Sequence, residues 1–352
     1  MTFMVKSPKG VAMLKKRRKD VFRYVAVFFT LPLFFSGALE SLDYEEILRR
    51  GRKTLSEKDT LILVETVSGK VKGIVNRNIA FSKLAKPGST FKLLTAYSLL
   101  ETNINHSEKR IYCDDKFFFV GEGVRERRVE FSVTNPRIGD YFRCSKYGGH
   151  GTVGLSQAIR RSCNHYFFNV SDNLSYDDLL FSVRRFGFDK KVFRVKDQVA
   201  GEITRYDNRK DRVLSYIGEG KTFRISPMNM ALFIHFLASD GQGKRLYYEH
   251  EGQFLGSYML ELEKVCARCI QFIKKSLSSK VSTGTESEKS ALVGSFSGKT
   301  GTISNRNQAI GSGWYAGFAP KKGSDFSFVL YLNEGNGMEA YGTMRKILFG
   351  GN

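Results

Sequence analysis

The apolar positions of the chain recur in two patterns, and each pattern predicts a different kind of element. Residues 59–76 hold two apolar runs around a Ser68-Gly69 turn, which predicts a β-hairpin. Residues 117–133 predict a second hairpin with alternating charge on one face. In the C-terminal third, strand-like patterns return at 291–302, 311–322 and 326–334.

Helical spacing fills the middle of the chain. The segment that follows Pro87-Gly88-Ser89 is apolar nearly all round, so we expect a helix buried inside the domain. Further helices are predicted at 151–172, 176–188, 226–242 and 258–279. Because strands lie at both ends and helices between them, we expect an α/β fold of the α+β type. We expect a central, mostly antiparallel sheet of N- and C-terminal strands, flanked by helices and accompanied by an all-helical subdomain.

The first 38 residues have a different character. Eight lysines and arginines precede an apolar run at 24–38, which is shorter than the roughly 20 apolar residues of a membrane-spanning helix. Ser36 and Ala38 are small residues at the positions that a signal peptidase reads. We interpret residues 1–38 as a signal peptide cleaved after Ala38 or, alternatively, as a short uncleaved membrane anchor.

This interpretation divides the chain into three segments: a signal or anchor at 1–38, a short helix and linker at 39–58, and the main domain at 59–352. With 41% hydrophobic residues, the chain is long enough to bury a sizeable core. We expect an exported bacterial protein, periplasmic or otherwise extracytoplasmic, which is held at the cytoplasmic membrane if residues 24–38 are retained.

The chain is strongly basic, with a formal net charge of +21. A basic exported domain favours an anionic neighbour, such as a membrane surface or a cell-wall polymer. Nucleic acid is the usual alternative for a basic chain, but export and the lack of a nucleic-acid-binding motif argue against it. A solvated basic surface without a specific partner is also compatible with this charge.

The chain has five cysteines, and an odd number leaves at least one without a disulfide partner in the monomer. Cys266 and Cys269 form a C-x-x-C pair inside a predicted helix. Redox pairs gain their reactivity at a helix N-terminus, so we interpret both residues as small core residues. The sequence has no second pair of ligands at zinc spacing and no H-E-x-x-H motif, so we expect no metal and no cofactor. We interpret His150 and His165 as structural.

Ser89 and Lys92 in "PGSTFK" are candidates for nucleophilic chemistry. At a helix start they are three residues apart and share a face. A lysine held among apolar side chains loses its proton more easily and can then take the proton of a serine hydroxyl. The backbone N–H groups of the helix start could meet a developing oxyanion. On their own, the two residues favour a simpler interpretation, a capping serine and a solvent-reaching lysine.

Two later stretches change this balance. Ser162-Cys163-Asn164 follows a predicted helical segment, and Lys299-Thr300-Gly301-Thr302 lies on a predicted strand. Taken singly, the asparagine could be a helix cap, and the lysine and threonines could be ordinary strand residues. The motifs S-x-x-K, S-x-N and K-T-G in this order indicate a three-part acyl-transfer site. The neighbouring Trp314 and Tyr315 are predicted to be core residues.

With these motifs the sequence resembles the transpeptidase domain of penicillin-binding proteins, over about Thr60 to Leu332. The stretches around Asn164 and Trp314 point to the class B type. The resemblance implies a penicillin-binding-protein/β-lactamase-like fold for the main domain, which would be a peptidoglycan DD-transpeptidase. Such an enzyme cross-links stem peptides, binds β-lactams covalently as inhibitors, and works with partner proteins of cell-wall synthesis. The stretches that carry the resemblance are "PGSTFK" (87–92), "YGGHG" (147–151), "AIRRSCNHYFFN" (158–169), "RRFGF" (184–188), "IGEGKTFRISPMNMA" (217–231), "GKTGT" (298–302) and "GWYAGFAP" (313–320).

The resemblance also implies roles for the residues around the nucleophile. Ser89 would attack the D-Ala–D-Ala carbonyl of a stem peptide, and Lys92 would be its general base. Ser162 would relay protons. Asn164 would hold the amide of the substrate and orient Lys92.

The third motif would bind the substrate. Lys299 would lie near the second motif and attract the substrate carboxylate, to which Thr300 and Thr302 would offer hydroxyl groups. Gly301 would let the acyl group lie along the strand. The backbone N–H groups of Ser89 and Thr302 would form the oxyanion hole.

Two other functions stay open at this stage. A class D-like β-lactamase also often begins its site with S-T-F-K, but its second motif usually has a hydrophobic residue at the place of Asn164. The third hypothesis for the function is a non-catalytic sensor of β-lactams or of the cell wall, or a scaffold. One departure from the family pattern is Glu219, which stands where glutamine is usual. A disulfide between Cys144 and Cys163 is compatible with the sequence, which does not show whether the two are within reach.

Overall fold

The computed structural model describes residues 43–114, 117–119, 128–129, 141–142, 144, 146, 148–193, 195–278, 296–303, 311–319 and 326–350. All of them belong to one unit, Leu42–Asn352. The expected signal or anchor at 1–38 lies outside the described residues, so its cleavage stays a prediction. Among the helices that are described, none is long and apolar enough to cross a bilayer.

The largest element is a seven-stranded sheet in the order β11-β10-β2-β1-β14-β13-β12. Strands of the described residues are β1 (Thr60–Glu65), β2 (Lys70–Val75), β3 (Arg110–Cys113), β4 (Phe117–Phe119), β5 (Arg128–Val129), β6 (Tyr141–Phe142), β7 (Gly151–Gly154), β8 (Glu202–Ile203), β9 (Phe223–Arg224), β10 (Arg245–His250), β11 (Gln253–Met259), β12 (Ser297–Ile303), β13 (Ser312–Ala319) and β14 (Phe326–Leu332).

The sheet joins the two ends of the chain. Strand β1 pairs antiparallel with β2 on one side and with β14 on the other. Strands β14, β13 and β12 continue antiparallel, and only β10 runs parallel to its neighbour β2. The mostly antiparallel sheet of N- and C-terminal strands that the sequence predicts is therefore confirmed.

Ten α-helices and three short 3-10 helices lie within the described residues. The α-helices are α1 (Tyr44–Thr54), α2 (Arg77–Ser82), α3 (Lys92–Thr102), α4 (Leu155–Arg161), α5 (Asn164–Phe168), α6 (Tyr176–Arg185), α7 (Arg209–Ser215), α8 (Pro227–Ala238), α9 (Ala267–Ser278) and α10 (Gly337–Phe349). The 3-10 helices are Gly88–Phe91, Ile104–Glu108 and Asn169–Asp172.

Strand β1 shows how the sheet divides the core. Its side chains alternate between two faces, because successive residues of a strand point to opposite sides. Ile62 and Val64 are buried in the larger core beside α3 and α8. Leu61 and Leu63 are buried in a smaller core that α1 and α10 cover. The sheet is thus covered on both faces by helices.

Helix α8 is the central helix behind the sheet, and all twelve of its residues are buried. Its start follows local rules: Ser226 caps the helix, Pro227 takes the first position, and Asn229 completes a capping box. Helix α3 begins at Lys92, and nine of its residues are buried. Both helices confirm the expectation that apolar helices fill the interior.

Three parts of the sequence-based prediction are wrong. The segment expected as a helix at 151–172 begins with strand β7, and its helical part is interrupted at Ser162 between α4 and α5. The helix expected at 258–279 begins only at Ala267, because the preceding residues up to Met259 complete strand β11. Cys266 therefore lies directly before the helix rather than in its middle. It forms a disulfide with Cys269, since their Cα atoms are 5.2 Å apart, so the two are not merely core residues. Strand pair β10–β11 and helix α10 are elements that the sequence reading missed.

The segment expected as a helix and linker contains α1, whose Leu48 is 3% exposed and packs on the bare backbone of Gly73 in β2. Leu48→Ala should lower the free energy of unfolding by about 2–4 kcal/mol, the usual loss for a buried leucine. Chemical denaturation measures this change. Met338→Ala removes a similar volume from a side chain that is 61% exposed and should change stability little. Equal small effects of both substitutions would mean that α1 is not part of the folded core.

Candidate active site

The turn that carries Ser89 is held from several sides. The serine lies in the 3-10 helix Gly88–Phe91, directly before α3, and its side chain is half-buried. The Thr90 hydroxyl donates to the carbonyl of Pro87 at 2.6 Å, and the Trp314 indole donates to the carbonyl of Lys86 at 3.0 Å. In a 3-10 helix, residues three apart lie one above the other. Ser89 and Lys92, which follows the 3-10 helix directly, therefore lie on the same face of this turn.

Lys92 is fully buried, and its amine is surrounded by oxygen acceptors. Nζ donates to the backbone carbonyl of Ser162 at 2.9 Å and to Oδ1 of Asn164 at 2.6 Å. A longer contact of 3.3 Å joins it to the Ser162 hydroxyl. The amine also lies 5.4 Å from the ring centroid of Phe167. The first two motifs therefore meet at this nitrogen.

The turn between α4 and α5 aims the second motif at the lysine. Ser162 ends α4 in the left-handed conformation, with φ of 55°, which is unusual for a residue other than glycine. The next N–H group, that of Cys163, donates back to the Ala158 carbonyl at 3.0 Å. Asn164 then opens α5. This turn directs a carbonyl, a hydroxyl and an amide oxygen toward Lys92.

Lys299 brings the third motif to the same place. It lies on β12, the outermost strand of the sheet, and is 3% exposed. Its Nζ donates to the Ser162 hydroxyl at 3.0 Å and to its neighbour's carbonyl, that of Thr300, at 2.8 Å. The Ser162 hydroxyl is thus contacted by two amines that are far apart in sequence.

Burial governs the electrostatics of the two lysines. Desolvation lowers the pKa of Lys92 to about 8, while nearby Glu219 and the thiols of Cys144 and Cys163 act in the opposite direction. Desolvation also lowers the pKa of Lys299, and the positive charge of Lys92 lowers it further. Two buried amines that share one hydroxyl disfavour each other's charge. A substantial share of the Lys92 amine is therefore neutral near physiological pH.

The remaining residues of the third motif are placed differently. Thr300 and Thr302 point to the face of β12 opposite to Lys299, as alternation along a strand requires. The Thr302 hydroxyl accepts a hydrogen bond from the Gly337 N–H group at 2.9 Å. Their expected contact with a substrate carboxylate stays a prediction.

Gly301 has a packing role that the sequence reading did not foresee. A Cβ at this position would lie 3.0 Å from the Pro87 carbonyl oxygen and 3.2 Å from Thr90 Cγ2. The missing side chain therefore lets β12 approach the Ser89 turn. Its expected role, room for an acyl group along the strand, stays a prediction beside this one.

A glycine loop supports the other side of the Ser89 turn. The Gly88 N–H group donates to the Gly218 carbonyl at 3.0 Å. Gly218 has a φ of 73°, and a Cβ there would overlap the Gly88 carbonyl oxygen and lie 2.7 Å from Phe91 Cβ. The next residue is Glu219, which is half-buried and acts electrostatically on Lys92. The unusual glutamate thus belongs to the surroundings of the site.

The fold also gathers four side chains that the sequence reading did not connect: Cys113, Cys144, His150 and Cys163. Their sulfur and nitrogen atoms all lie within 4.8 Å of one another. The three thiols are free, so the disulfide considered between Cys144 and Cys163 is not formed. Irregular spacing along the chain hid this cluster. The one available signal was that a cysteine occupies the middle of the second motif.

Other residues are placed as the sequence predicts. Trp314 is fully buried and Tyr315 is 5% exposed, which confirms both as core residues. His165 is 1% exposed and lies 3.7 Å from the Asp114 carboxylate, away from the acceptors of Lys92.

Known proteins resemble this chain in sequence and in fold. Residues 55–349 match the family described as the penicillin binding protein transpeptidase domain. Stage V sporulation protein D of Bacillus subtilis (strain 168) is 30% identical over 120 residues. That match spans 34% of this chain and 16% of the sporulation protein.

Solved structures show the same fold. The transpeptidase domain of penicillin-binding protein 3 from Burkholderia pseudomallei has a TM-score of 0.66 at 16% identity, covering 87% of this chain and 91% of that one. Penicillin-binding protein 2 of Helicobacter pylori, in a complex with MreC, has a TM-score of 0.66 at 17% identity, with coverage of 87% and 62%. Penicillin-binding protein 2 of Pseudomonas aeruginosa, in complex with WCK 5153, has a TM-score of 0.64 at 17% identity, with coverage of 86% and 75%.

Gly218→Ala tests the support of the Ser89 turn. The added methyl group has no room beside Gly88 and faces a positive φ, so we expect a loss of about 1–3 kcal/mol in the free energy of unfolding. Gly342→Ala is the matched control, because nothing lies within 4 Å of its Cβ position in α10. That control should leave stability unchanged or raise it by up to about 1 kcal/mol. Similar stabilities of the two variants in chemical denaturation would contradict the close approach.

Proposed function

We propose that this chain, which belongs to the penicillin-binding protein transpeptidase family, is a peptidoglycan DD-transpeptidase. It cross-links stem peptides through an acyl-enzyme on Ser89. β-Lactams, which imitate the D-Ala–D-Ala end, acylate the same serine. The enzyme is a serine-type acyltransferase.

The observation that carries the proposal is that three segments far apart in sequence meet around Lys92 and Ser162. Lys92 Nζ contacts Ser162 and Asn164, which lie 70 and 72 residues further along the chain. Lys299 Nζ contacts Ser162 across 137 residues. A capping serine and an ordinary strand lysine would need none of these contacts. The arrangement supports a site in which an amine, a hydroxyl and an amide act on one nucleophile.

The hydrogen bonds of Lys92 support its role as general base. A neutral amine has two N–H donors and one lone pair. The Ser162 carbonyl and the Asn164 amide oxygen can take both donors. The lone pair is then left for the Ser89 hydroxyl, one helical turn away. The lowered pKa of Lys92 keeps enough of the amine neutral for this step.

Acylation and transfer then follow in two balanced steps. Lys92 takes the proton of Ser89, and the serine oxygen bonds the carbonyl carbon of the penultimate D-Ala. The peptide bond to the terminal D-Ala breaks, and its nitrogen leaves with a proton delivered through Ser162. The amine of an acceptor peptide then attacks the ester. That amine gives up a proton, the new peptide bond forms, and Ser89 regains its proton.

The surroundings of the site fit an anionic peptide substrate. Lys299 is proposed to attract the terminal carboxylate of the substrate. The hydroxyl groups of Thr300 and Thr302 on β12 are proposed to bind the same carboxylate. Because β12 is the last strand of the sheet, an extended stem peptide can add along its edge. Asn164 is proposed to hold the peptide amide in addition to orienting Lys92. The N–H groups of Ser89 and Thr302 are proposed as the oxyanion hole.

Location and partners form part of the proposal. Residues 1–38 export the chain or anchor it, so the domain at 59–352 acts outside the cytoplasm. Its basic charge favours an anionic membrane surface or wall polymer and not nucleic acid. One structural relative was solved in a complex with MreC. We propose by analogy that this chain also works with proteins of cell-wall synthesis.

Ser89→Ala tests the nucleophile. After incubation with benzylpenicillin, intact-mass spectrometry should show one stable adduct on the wild-type protein and none on the Ser89→Ala variant. Ser82→Ala, which removes a half-buried hydroxyl from α2, should keep the adduct. Rapid repeated hydrolysis of nitrocefin would instead favour the class D-like β-lactamase. No adduct at all on the unmodified protein would favour the sensor or scaffold.

The pKa of Lys92 sets the pH dependence of acylation. Raising the pH increases the neutral share of the amine, so the acylation rate at saturating β-lactam should rise about tenfold per pH unit below pH 8 and level off above it. Stopped-flow measurements with a fluorescent penicillin between about pH 6 and pH 10 give this profile. At a saturating concentration of β-lactam, an effect of Lys299 on the affinity for the β-lactam no longer changes the measured rate. A rate that falls as pH rises through this range would contradict Lys92 as the base.

A further inference from the structure

We propose that Cys113, Cys144, His150 and Cys163 bind one zinc ion, and that this ion anchors the turn that carries the second motif. The cluster lies outside the residues assigned to acyl transfer. It was not expected from the sequence, which predicts no metal.

The distances fit a tetrahedral site. The Nδ1 atom of His150 lies 3.1 Å from the sulfur of Cys144 and 3.5 Å from the sulfur of Cys113. All four donor atoms lie within 4.8 Å of one another. Zn–S bonds of about 2.3 Å and Zn–N bonds of about 2.1 Å in a tetrahedron put neighbouring ligand atoms about 3.5–3.8 Å apart. The longest donor separation would therefore have to shorten by about 1 Å to complete the coordination, which rotation of the side chains can supply.

The ligands are held by structure on several sides. Cys113 ends strand β3, which pairs with β7, and the N–H group of His150 donates to the Cys113 carbonyl at 3.0 Å. Arg161 donates to the carbonyl of His150 at 3.4 Å. The three cysteines are at most 3% exposed, whereas His150 is half-buried. The donors are thus preorganised from a strand, a loop and a helix start.

A metal ion would use all three free thiols, whereas a disulfide would use only two of them. One disulfide among Cys113, Cys144 and Cys163 would leave a third buried thiol without use, and the histidine would have no role. Cys266 and Cys269 are already paired with each other. A metal ion uses all four donors at once. Within the described residues, this is the one group of three or more possible ligands close enough to hold an ion.

The donor chemistry selects zinc. Three sulfur ligands and one imidazole form a Cys3His set, which is typical of structural zinc sites. Hard ions such as magnesium and calcium prefer oxygen ligands. Because four protein ligands complete a tetrahedron, no position is left open for water or substrate. The proposed ion is structural and takes no part in acyl transfer.

The position of Cys163 links the metal to the active site. Its neighbours on either side are Ser162 and Asn164, which together hold the Lys92 amine. Ser162 is in the left-handed conformation, which is unfavourable for a residue other than glycine. A zinc–sulfur bond at the next residue would fix this turn. Loss of the ion should loosen the turn and misplace the acceptors of Lys92.

The proposed zinc site can be tested without measuring enzyme activity. Untagged full-length protein, purified without chelators, should contain about one zinc ion per chain by inductively coupled plasma mass spectrometry. Cys113→Ser and His150→Ala should each reduce the zinc content by more than about tenfold. His250→Ala is the matched control, because this histidine is exposed and lies outside the cluster. A Cys266→Ser/Cys269→Ser double variant, which removes the disulfide, should also keep the zinc.

A second measurement covers variants that fail to fold. Cobalt added to the chelator-treated unmodified protein should give the intense visible absorption of tetrahedral cobalt with thiolate charge transfer. A protein with no bound zinc that does not bind cobalt would overturn the proposal. So would a mass about 2 Da below that of the chain with the Cys266–Cys269 disulfide alone, mapped to a disulfide among the three cysteines.

The anchoring role has its own readout. Removing the ion should lower the melting temperature and slow acylation of Ser89 by more than about tenfold, and added zinc should restore both. If zinc binds but its removal leaves the acylation rate unchanged, the metal site stands and the anchoring role is overturned. A wild-type protein that binds zinc but never forms an acyl adduct with a β-lactam would contradict the proposed function, and the metal site would stand.

Discussion

The amine of Lys92 is the interaction on which the rest of the site depends. A fully buried amine is costly unless its donors are satisfied. Here the Ser162 carbonyl and the Asn164 amide oxygen accept from it, and no carboxylate within the described residues forms an ion pair with it. Burial without an ion pair lowers the pKa. The same packing therefore satisfies the donors of the amine and lowers its pKa, and the general-base role proposed for Lys92 depends on both.

The fold supplies two close approaches that this arrangement requires. Gly301 lets the edge strand β12 reach the Ser89 turn, and Gly218 lets a loop reach the same turn from the other side. The sheet carries Lys299 to the Ser162 hydroxyl, while α4 and α5 carry the second motif. The proposed zinc ion would add a third constraint, because Cys163 belongs both to the metal cluster and to the turn. The residues proposed for catalysis and the residues that support the site thus lie in the same turns.

Local rules explain which elements were predictable. The first hairpin, the C-terminal strands and α8 depend on alternation, turn residues and caps, which are written in neighbouring positions. Helix α9 was placed too early because a continuous helical pattern concealed the end of β11. That error also hid the position of the C-x-x-C pair at the start of the helix. Helix α10 was missed although its local signals are present: Asn336 and Glu339 form a capping box, and Gly350 follows the helix in the left-handed conformation.

By itself, the sequence determined the apolar and polar pattern, most of the strands and helices, and the three motifs that indicate acyl transfer. Only the tertiary structure decided the distances at which Lys92, Ser162, Asn164 and Lys299 meet, and that three cysteines and a histidine form a cluster. The reason is physical. Periodicity and capping act over a few residues, whereas distances between side chains far apart in sequence are set by the packing of the whole core.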